Sequence, residues 1–277
     1  MRRSLALTVL ALLAVPLLSG CNKLEARVQL KKGNSLYQQE QYSEAMKQFQ
    51  KGLALDPDDT FAWRSVGLSA LAMYRPGDDS PKNVEYARVA SDAFENYLKD
   101  NPDDLKVQDY EMSILVNSKQ YQKALAFVDQ LQQRHPEEAN DPKWDKYRVN
   151  VLIQAGELEK AEALALRTPG PEQAVSLYSI GVATWGKVYN NNTIDFATKQ
   201  QKVEMGLSSL LKAVGLKADY YDAMFYLGLM LREKAKLETD ANARMADVNQ
   251  AEDWLKKGLE LRKKAQAAPT DLAAQGK

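Results

Sequence analysis

Cysteine and histidine, the residue types that most often bind metal or act as nucleophile and base, occur once each in this chain, as Cys21 and His135. A zinc site made by the protein alone needs several such ligands, and a disulfide needs a second cysteine. The sequence has no glycine-rich phosphate-binding loop and no nucleophile elbow, and its paired carboxylates lie in turns and on polar helix faces. We therefore expect no metal, no cofactor and no enzymatic activity.

The segment that precedes Cys21 has the pattern of a signal peptide. Two arginines stand near its start, and Leu5–Leu18 is an apolar run, shorter than the roughly 20 residues of a membrane-spanning helix. The run leads into Leu-Ser-Gly-Cys, which resembles a bacterial lipobox, the motif whose cysteine becomes the first residue of the mature chain and carries lipid. The resemblance implies a cleaved signal peptide over 1–20, a lipid anchor on Cys21 and a short linker over 21–25. Because Asn22 rather than aspartate follows the cysteine, it also favours the outer membrane, facing the periplasm.

The overall composition is that of a globular protein. Lysine plus arginine and aspartate plus glutamate are equal at 37 each, and 45% of the 277 residues are hydrophobic. A basic excess that would attract nucleic acid is absent, and the balance of apolar and charged residues fits neither a disordered chain nor a multi-span membrane protein. The length allows one or two domains.

Beyond the N-terminal segment the sequence repeats in units of about 34 residues. Pro57, Pro102 and Pro136 each separate two amphipathic runs, and proline favours a helix boundary because it has no backbone N–H. In the first unit, 26–59, five residues hold the positions that matter for packing two helices: Gly33, Tyr42, Ala45, Phe49 and Pro57. This pattern resembles the tetratricopeptide repeat (TPR), a pair of antiparallel helices that small residues bring close together. One such pair leaves an apolar face uncovered, so the pairs stack into a solenoid.

Of the next three units, the third has regular spacing, whereas the second is longer than the pattern and the fourth is shorter. The second keeps the small and large residues of the pattern but has extra residues over Arg75–Val84, which we expect to form a loop. The third spans Leu105–Glu138. The fourth, from near Pro142, stops at Thr168–Pro171, a cluster of helix-breaking residues that indicates a boundary between subdomains or a bend.

The last two units, which begin near Ala174 and Tyr221, each carry an insertion of about 11 residues between their helices. The insertion Lys236–Ala246 is rich in lysine, glutamate and alanine, so we expect it to lengthen the first helix of its pair. The sequence thus predicts units one to four over 26–168, units five and six over 171–262 and a flexible tail over 263–277.

The resemblance implies an all-α fold, a right-handed solenoid of about six TPR-like helix pairs, some with inserted or lengthened segments between their helices. It also implies a concave groove, lined mostly by the first helix of each pair, that holds a protein or peptide segment. In the fifth and sixth units the groove positions include three aromatic residues, which favour an extended or helical apolar peptide. The candidate partner-binding residues are Tyr178, Val182, Trp185, Asp222, Phe225, Leu229 and Arg232. The alternative is that these aromatic residues pack as core against a neighbouring helix.

Together these features predict a lipid-anchored periplasmic scaffold that binds an envelope protein or peptide in its groove. In outline the chain resembles two kinds of repeat lipoprotein: the pilotins that help a secretin or pilus to assemble, and the lipoprotein of outer-membrane barrel assembly. The alternative is an envelope lipoprotein that binds a small molecule or a glycan in its groove. No nucleic-acid partner is expected, the membrane contact is through the lipid on Cys21, and the oligomeric state stays open.

Overall fold

The structure, a computed structural model, describes residues 22–189 and 191–267. The predicted signal peptide, 1–20, and the predicted lipidation site, Cys21, lie outside the described residues. Within these ranges the chain is helical and has no β-strand, which confirms the predicted all-α class, and no described helix combines the length and the apolar character needed to cross a membrane. The helices are α1 (22–38), α2 (Tyr42–Leu55), α3 (Thr60–Met73), α4 (Pro81–Asp100), α5 (Leu105–Asn117), α6 (Tyr121–Arg134), a 3-10 turn (Pro136–Glu138), α7 (Lys143–Ala155), α8 (Leu158–Arg167), α9 (Pro171–Val188), α10 (Phe196–Leu216), α11 (Tyr221–Ala235) and α12 (Ala241–Ala267).

Several helices begin at a residue whose side chain accepts a hydrogen bond from a backbone N–H of the first turn. At the start of α3 the carboxylate of Asp59 accepts from the N–H of Ala62 at 2.8 Å. At the start of α10 Asp195 accepts from the N–H of Thr198 at 2.9 Å. Such caps satisfy N–H groups that have no partner within the helix and contribute about 1 kcal/mol each. The polar turns of the repeat therefore determine where these helices start.

Glycines that face a large side chain bring the two helices of a pair together. A Cβ atom added to Gly33 of α1 would lie 2.6 Å from the ring of Phe49 in α2. The same relation recurs at corresponding places of the second and fifth units: Gly67 with Phe94, and Gly181 with Leu210. Because protein interiors are close-packed, a larger residue at these places would force the helices apart. The small-against-large pattern predicted from the repeat is thus present in three of the helix pairs.

The described helices form two compact units, which divide between Ala124 and Leu125. In the first unit α1 packs on α2, α2 on α3, α3 on α4 and α4 on α5. In the second unit each helix from α7 to α12 packs on the next, and α9 also contacts α7 and α11. Each unit is therefore a stack of helix pairs. The breaker cluster Thr168–Pro171 lies within the second unit, between α8 and α9, where Gly170 has a φ of 143° that disfavours residues with a side chain.

The sequence predicts a structure for two of the insertions, and the two predictions have different outcomes. Residues 74–80 form the loop predicted over Arg75–Val84, whose last residues belong to α4 instead. The insertion Lys236–Ala246 was expected to lengthen α11, and this expectation is wrong. α11 ends at Ala235, and the carboxylate of Asp240 accepts from the N–H of Ala243 at 2.8 Å, so a new helix starts there.

Helix α12 takes up that insertion and reaches 27 residues. Residues 263–267, predicted to belong to the flexible tail, are part of this helix. The helix continues through them because lysine, alanine and glutamine are good helix formers. Residues 268–277 lie outside the described residues. At the other end of the chain, residues 22–25, assigned to a linker, are already helical.

Candidate functional site on helices α9 and α11

Five aromatic rings lie in contact with one another along α9 and α11 of the second unit. The order of the rings is Tyr220, Tyr178, Tyr226, Trp185 and Tyr189, and we call this surface the aromatic row. The distances between successive ring centroids are 4.9, 5.8, 5.6 and 4.6 Å. These separations are those of energetically favourable aromatic pairs. The second unit thus presents one continuous aromatic surface.

Helical periodicity and the contact between α9 and α11 build this row. Tyr178, Trp185 and Tyr189 are separated by seven and four positions, so they lie on one face of α9 and of the residue that follows it. Tyr226 of α11 places its ring between those of Tyr178 and Trp185, at interplanar angles of 77° and 79°. Tyr220, the residue that precedes α11, extends the row by contacting Tyr178.

The rings are neither fully buried nor fully exposed. Tyr178, Trp185, Tyr220 and Tyr226 pack with one side against the buried core of the second unit, whereas 47% of the surface of Tyr189 is exposed. The row therefore has the character of a rigid surface in which every ring is fixed by its neighbours. Such a surface loses little conformational entropy when a partner covers it.

Two tyrosine hydroxyls of the row, those of Tyr178 and Tyr220, stay protonated. Burial, and then the nearby Asp222 and Tyr226, raises the pKa of Tyr178. Burial, and then Tyr178 and Asp222, raises the pKa of Tyr220 to about 12. Because both pKa values lie above the ordinary value, the two phenols are neutral at physiological pH and can donate hydrogen bonds.

A lysine lies at each end of the row. Lys217 Nζ is 4.9 Å from the ring centroid of Tyr220, and Lys236 Nζ is 5.7 Å from that of Tyr189. Lys236 Nζ also donates a hydrogen bond to Glu233 Oε1 at 2.6 Å. Glu233 is only 2% exposed, and Lys199 Nζ lies 3.8 Å from its other oxygen, Oε2. The ammonium groups of these two lysines therefore make cation–π interactions with the rings at the two ends of the row.

The structure brings some of the predicted site residues together in this row. Tyr178 and Trp185 are members of it, Val182 lies between them on the same face of α9, and Asp222 is close enough to both Tyr178 and Tyr220 to raise their pKa values. All four are half-buried. The assignment of these residues to a partner-binding groove stays a prediction.

Other predicted residues do not join the row. The ring of Phe225 approaches Gly258 of α12, where an added Cβ atom would lie 2.7 Å from it. Neighbouring residues of a helix point about 100° apart, so Tyr226, not Phe225, faces α9. Leu229 and Arg232 are half-buried on α11, and Arg232 forms no ion pair in the described part of the chain.

Three members of the row were not predicted from the sequence. Tyr189 follows Trp185 by four positions, so helical spacing alone was sufficient to find it. Tyr226 required knowing which of two adjacent aromatic residues faces α9. Tyr220 lies in the turn before α11, and the repeat pattern assigns no groove position there.

Among the described residues, one group has the composition of a metal site: His135, Glu137 and Glu138, with ligand atoms all within 4.8 Å of one another. Glu138 already pairs with Lys143, and Trp144 donates its indole N–H to the backbone oxygen of Glu138 at 2.7 Å. Three half-exposed or exposed groups in a turn, with Glu138 paired to Lys143 and His135 Nδ1 3.4 Å from Glu137 Oε1, do not by themselves form a metal site.

Comparison with known proteins finds a similarity to a family in part of the chain. Residues 33–72 match the sequence profile of the TPR repeat. In the structure these residues cover the end of α1, where Gly33 faces Phe49 of α2, all of α2 and most of α3. A search of curated proteins found no match.

Several solved TPR structures are similar to the chain over most of their length. YrrB, a TPR protein with an unusual peptide-binding site, is 20% identical, with 71% of this chain and 88% of that chain covered and a TM-score of 0.40. A TPR protein from Bacteroides fragilis is 18% identical, with coverages of 76% and 98% and a TM-score of 0.43. MamA from Desulfovibrio magneticus is 16% identical, with coverages of 88% and 97% and a TM-score of 0.32. At these TM-scores the similarities carry no argument about binding.

Proposed function

We propose that the protein binds a protein or peptide segment on the aromatic row and does so as a lipid-anchored scaffold of the cell envelope. The observation that carries the proposal is the row itself, five contacting rings of which four are partly exposed and Tyr189 is 47% exposed. Tyrosine and tryptophan supply most of the energy at binding hot spots, because they bury a large area at a small entropic cost.

The partner segment is expected to be mainly apolar, with free backbone groups. The ring faces cover apolar side chains, while the neutral hydroxyls of Tyr178 and Tyr220 donate hydrogen bonds to carbonyl oxygens of an extended segment. The similarity of residues 33–72 to the TPR repeat supports a role in binding, because stacked helix pairs commonly present such surfaces.

The cellular part of the proposal rests on the lipobox-like end of the N-terminal segment. A lipid on Cys21 would hold the protein at the outer membrane, facing the periplasm, and would restrict its search for a partner to one layer. The role in envelope assembly is either pilotin-like, in which the protein helps a secretin or pilus to assemble, or similar to that of a barrel-assembly lipoprotein.

Photo-crosslinking in cells tests the binding surface. A benzoylphenylalanine is placed at Tyr189, which is exposed at the end of the row, and in a matched control at Phe196, an exposed aromatic residue at the start of α10. A single protein adduct from position 189 and none from position 196 supports the proposal and names the partner. Equal adducts at both positions, or none at either, would overturn it.

The anchor is tested by Cys21→Ser. We expect this substitution to abolish incorporation of labelled lipid and to move the protein from the membrane fraction to the soluble fraction. Tight membrane association of the variant would contradict a lipid anchor on Cys21 and would leave the aromatic row as a separate question.

The second candidate, a small molecule or glycan, is favoured by one feature: the ring of Tyr189 is stacked on Trp185 and exposed, as in a platform for a flat ligand. Cell-wall fragments would then raise the thermal unfolding midpoint, because a ligand that binds only the folded state stabilises it. A protein adduct from position 189 together with no thermal shift would exclude this candidate.

A further inference from the structure

A concave surface lies in the first compact unit, on α2, α3 and α4. It is a cavity of about 650 Å³ that opens to solvent. We call it the α2–α4 groove and define it by six of its lining residues: Gln50, Leu53, Ala54, Trp63, Val89 and Glu95. It belongs to the face formed by the second helices of two successive pairs, α2 and α4, whereas the aromatic row belongs to two first helices.

The floor and one wall of the groove are apolar and held in place. Leu53, Val66 and Ala93 line the groove and are buried in the core of the first unit. The Trp63 indole N–H donates to the backbone oxygen of Pro57 at 2.8 Å, which fixes the ring at the edge of the cavity. The groove is therefore preformed, and its volume accommodates a large apolar side chain.

The rim of the groove is acidic. Arg88 is already engaged at 2.7 Å by both Glu85 and Asp92. Lys99 Nζ donates to the Asn96 side chain at 2.8 Å. For Glu95, which is exposed on the rim, no ion pair occurs in the described part of the chain. The charged residues that line the groove are Arg88, Asp92 and Glu95, so two carboxylates against one cation leave one negative charge in excess.

The negative potential of this rim extends to the interior behind it. Glu111 of α5 is fully buried and accepts a hydrogen bond from Ser91 Oγ at 2.7 Å. Burial raises the pKa of Glu111 to about 8, and Glu95 and Asp92 raise it as well, against the opposing effect of Lys123. A second carboxylate would find little stabilisation here, whereas a cation at the rim would.

We propose that the α2–α4 groove binds a peptide segment in which a large apolar side chain is followed closely by arginine or lysine. The apolar side chain enters between Leu53, Trp63 and Val89, and the cation lies against the carboxylate of Glu95. The carboxamide of Gln50, exposed at the opposite edge, can donate to and accept from the peptide backbone. This proposal does not depend on the aromatic row, because it concerns other residues in the other compact unit.

Short fluorescein-labelled peptides test this chemistry. One set carries tryptophan, phenylalanine or leucine followed by two arginines, and the matched set has glutamates in place of the arginines. Fluorescence anisotropy with the purified protein measures the dissociation constants. We expect the basic set to bind at least about tenfold more tightly than the acidic set at low salt, because opposite charges attract across the rim and like charges repel.

Two variants show whether binding occurs in the groove. Ala54→Trp fills the cavity from an exposed helix position, and Glu95→Lys reverses the rim charge. We expect Ala54→Trp to weaken the binding of the basic peptides at least tenfold and Glu95→Lys to weaken it about fivefold. Glu44→Lys, an exposed substitution on α2 outside the groove, is the matched control and should leave binding unchanged. Circular dichroism with thermal unfolding shows that each variant is folded.

Several results would overturn the proposal. Absence of binding by the basic set, equal binding by the two sets, or binding that Ala54→Trp and Glu95→Lys leave intact would each exclude the groove as a site for such peptides. Displacement of a bound basic peptide by a fatty acid, together with equal affinity of fatty acid for Glu95→Lys and the unchanged protein, would identify a lipid site instead. Crosslinks from Tyr189 report on the aromatic row independently, so either proposal can fail alone.

Discussion

A buried glutamate lies beside each of the two candidate surfaces, and the two carboxyl groups have opposite surroundings. Glu111, behind the α2–α4 groove, is hydrogen-bonded to Ser91, has no cation within salt-bridge distance, and has a pKa raised to about 8. Glu233, near the end of the aromatic row, lies between Lys236 Nζ at 2.6 Å and Lys199 Nζ at 3.8 Å. Burial without a cation favours the protonated acid, whereas burial between two ammonium groups makes an ion pair.

This difference changes what each surface offers a partner. At the groove, the neutral Glu111 leaves the carboxylates of the rim as the charges that a partner meets. At the row, Glu233 is occupied by lysines of its own chain, so the rings and their phenol hydroxyls are the groups left for recognition. The first surface therefore selects by charge and cavity volume, and the second by aromatic area.

The largest effect is expected from removing the charge of Glu233. Glu233→Gln leaves Lys199, whose side chain is 13% exposed, without its counter-charge, and we expect the free energy of unfolding to fall by about 3 kcal/mol. Urea unfolding measures this change in the free energy of unfolding. Lys236→Met, which removes the half-exposed partner, should cost less than about 1 kcal/mol. Equal losses from the two variants would contradict the view that Lys199 is the buried member of the ion pair.

Glu111→Gln should have the opposite effect and raise the free energy of unfolding. The folded-state pKa of Glu111 lies above that of the unfolded chain, so the native protein keeps its full stability below pH 4.5 and loses stability as the pH rises through about 8. Glutamine keeps an oxygen that accepts from Ser91 and has no proton to lose. We therefore expect the variant to be more stable than the native protein by about 2 kcal/mol at pH 8.

Thermal unfolding from acidic to weakly alkaline pH checks this prediction. The difference between the two proteins should vanish in acid and grow with pH. A variant that is destabilised at every pH would show that the carboxyl proton itself makes a bond that glutamine cannot replace.

The aromatic row can be separated from its neighbouring core by two substitutions. Tyr189→Ala should lower partner binding about tenfold with little change in stability, because its ring is exposed at the end of the row. Phe225→Leu should lower stability by about 1 kcal/mol and leave binding unchanged, because Phe225 packs on Gly258. Pull-down of the crosslinked partner and thermal unfolding measure the two effects. Loss of binding in the Phe225 variant alone would move the site to the other face of α11.

The smallest expected effect is that of salt on binding affinity, which should differ between the two surfaces. Raising the salt concentration from about 50 to about 500 mM should weaken basic peptides at the α2–α4 groove about threefold, because exposed charges are screened beyond a few ångströms. Partner binding to the row should change less, since apolar burial is not screened. Anisotropy titrations at the two salt concentrations compare them. The same salt dependence at both surfaces would contradict the distinction between charge and aromatic area.

The repeat pattern was predictable because its determinants are local. The spacing of Gly33, Ala45 and Phe49 requires a close helix pair, and aspartates in some of the turns supply caps, as at the starts of α3 and α10. For the same reason the start of α12 was predictable in principle, since Asp240 is a cap residue by type. Helix propensity alone suggested a longer α11 and was overridden by this cap.

The membership of the aromatic row was only partly predictable. The spacing of Tyr178 and Trp185 puts them on one face of α9, so the sequence determines that they act together. Whether Tyr226 or Phe225 meets them depends on the rotation of α11 about its axis, which is decided by the packing of α11 on α9 and α12 at once. An aromatic residue on either face satisfies the same repeat pattern.

By itself, the amino-acid sequence determined the helix pairs of this protein, the places where several helices begin and the residue types available for binding, because each of these depends on neighbours in the chain. Only the tertiary structure decided which rings meet, which of the buried glutamates has cations beside it, and that α2 and α4 enclose a cavity. These features join residues from different helices, and their positions follow from close packing across helices rather than from any local spacing.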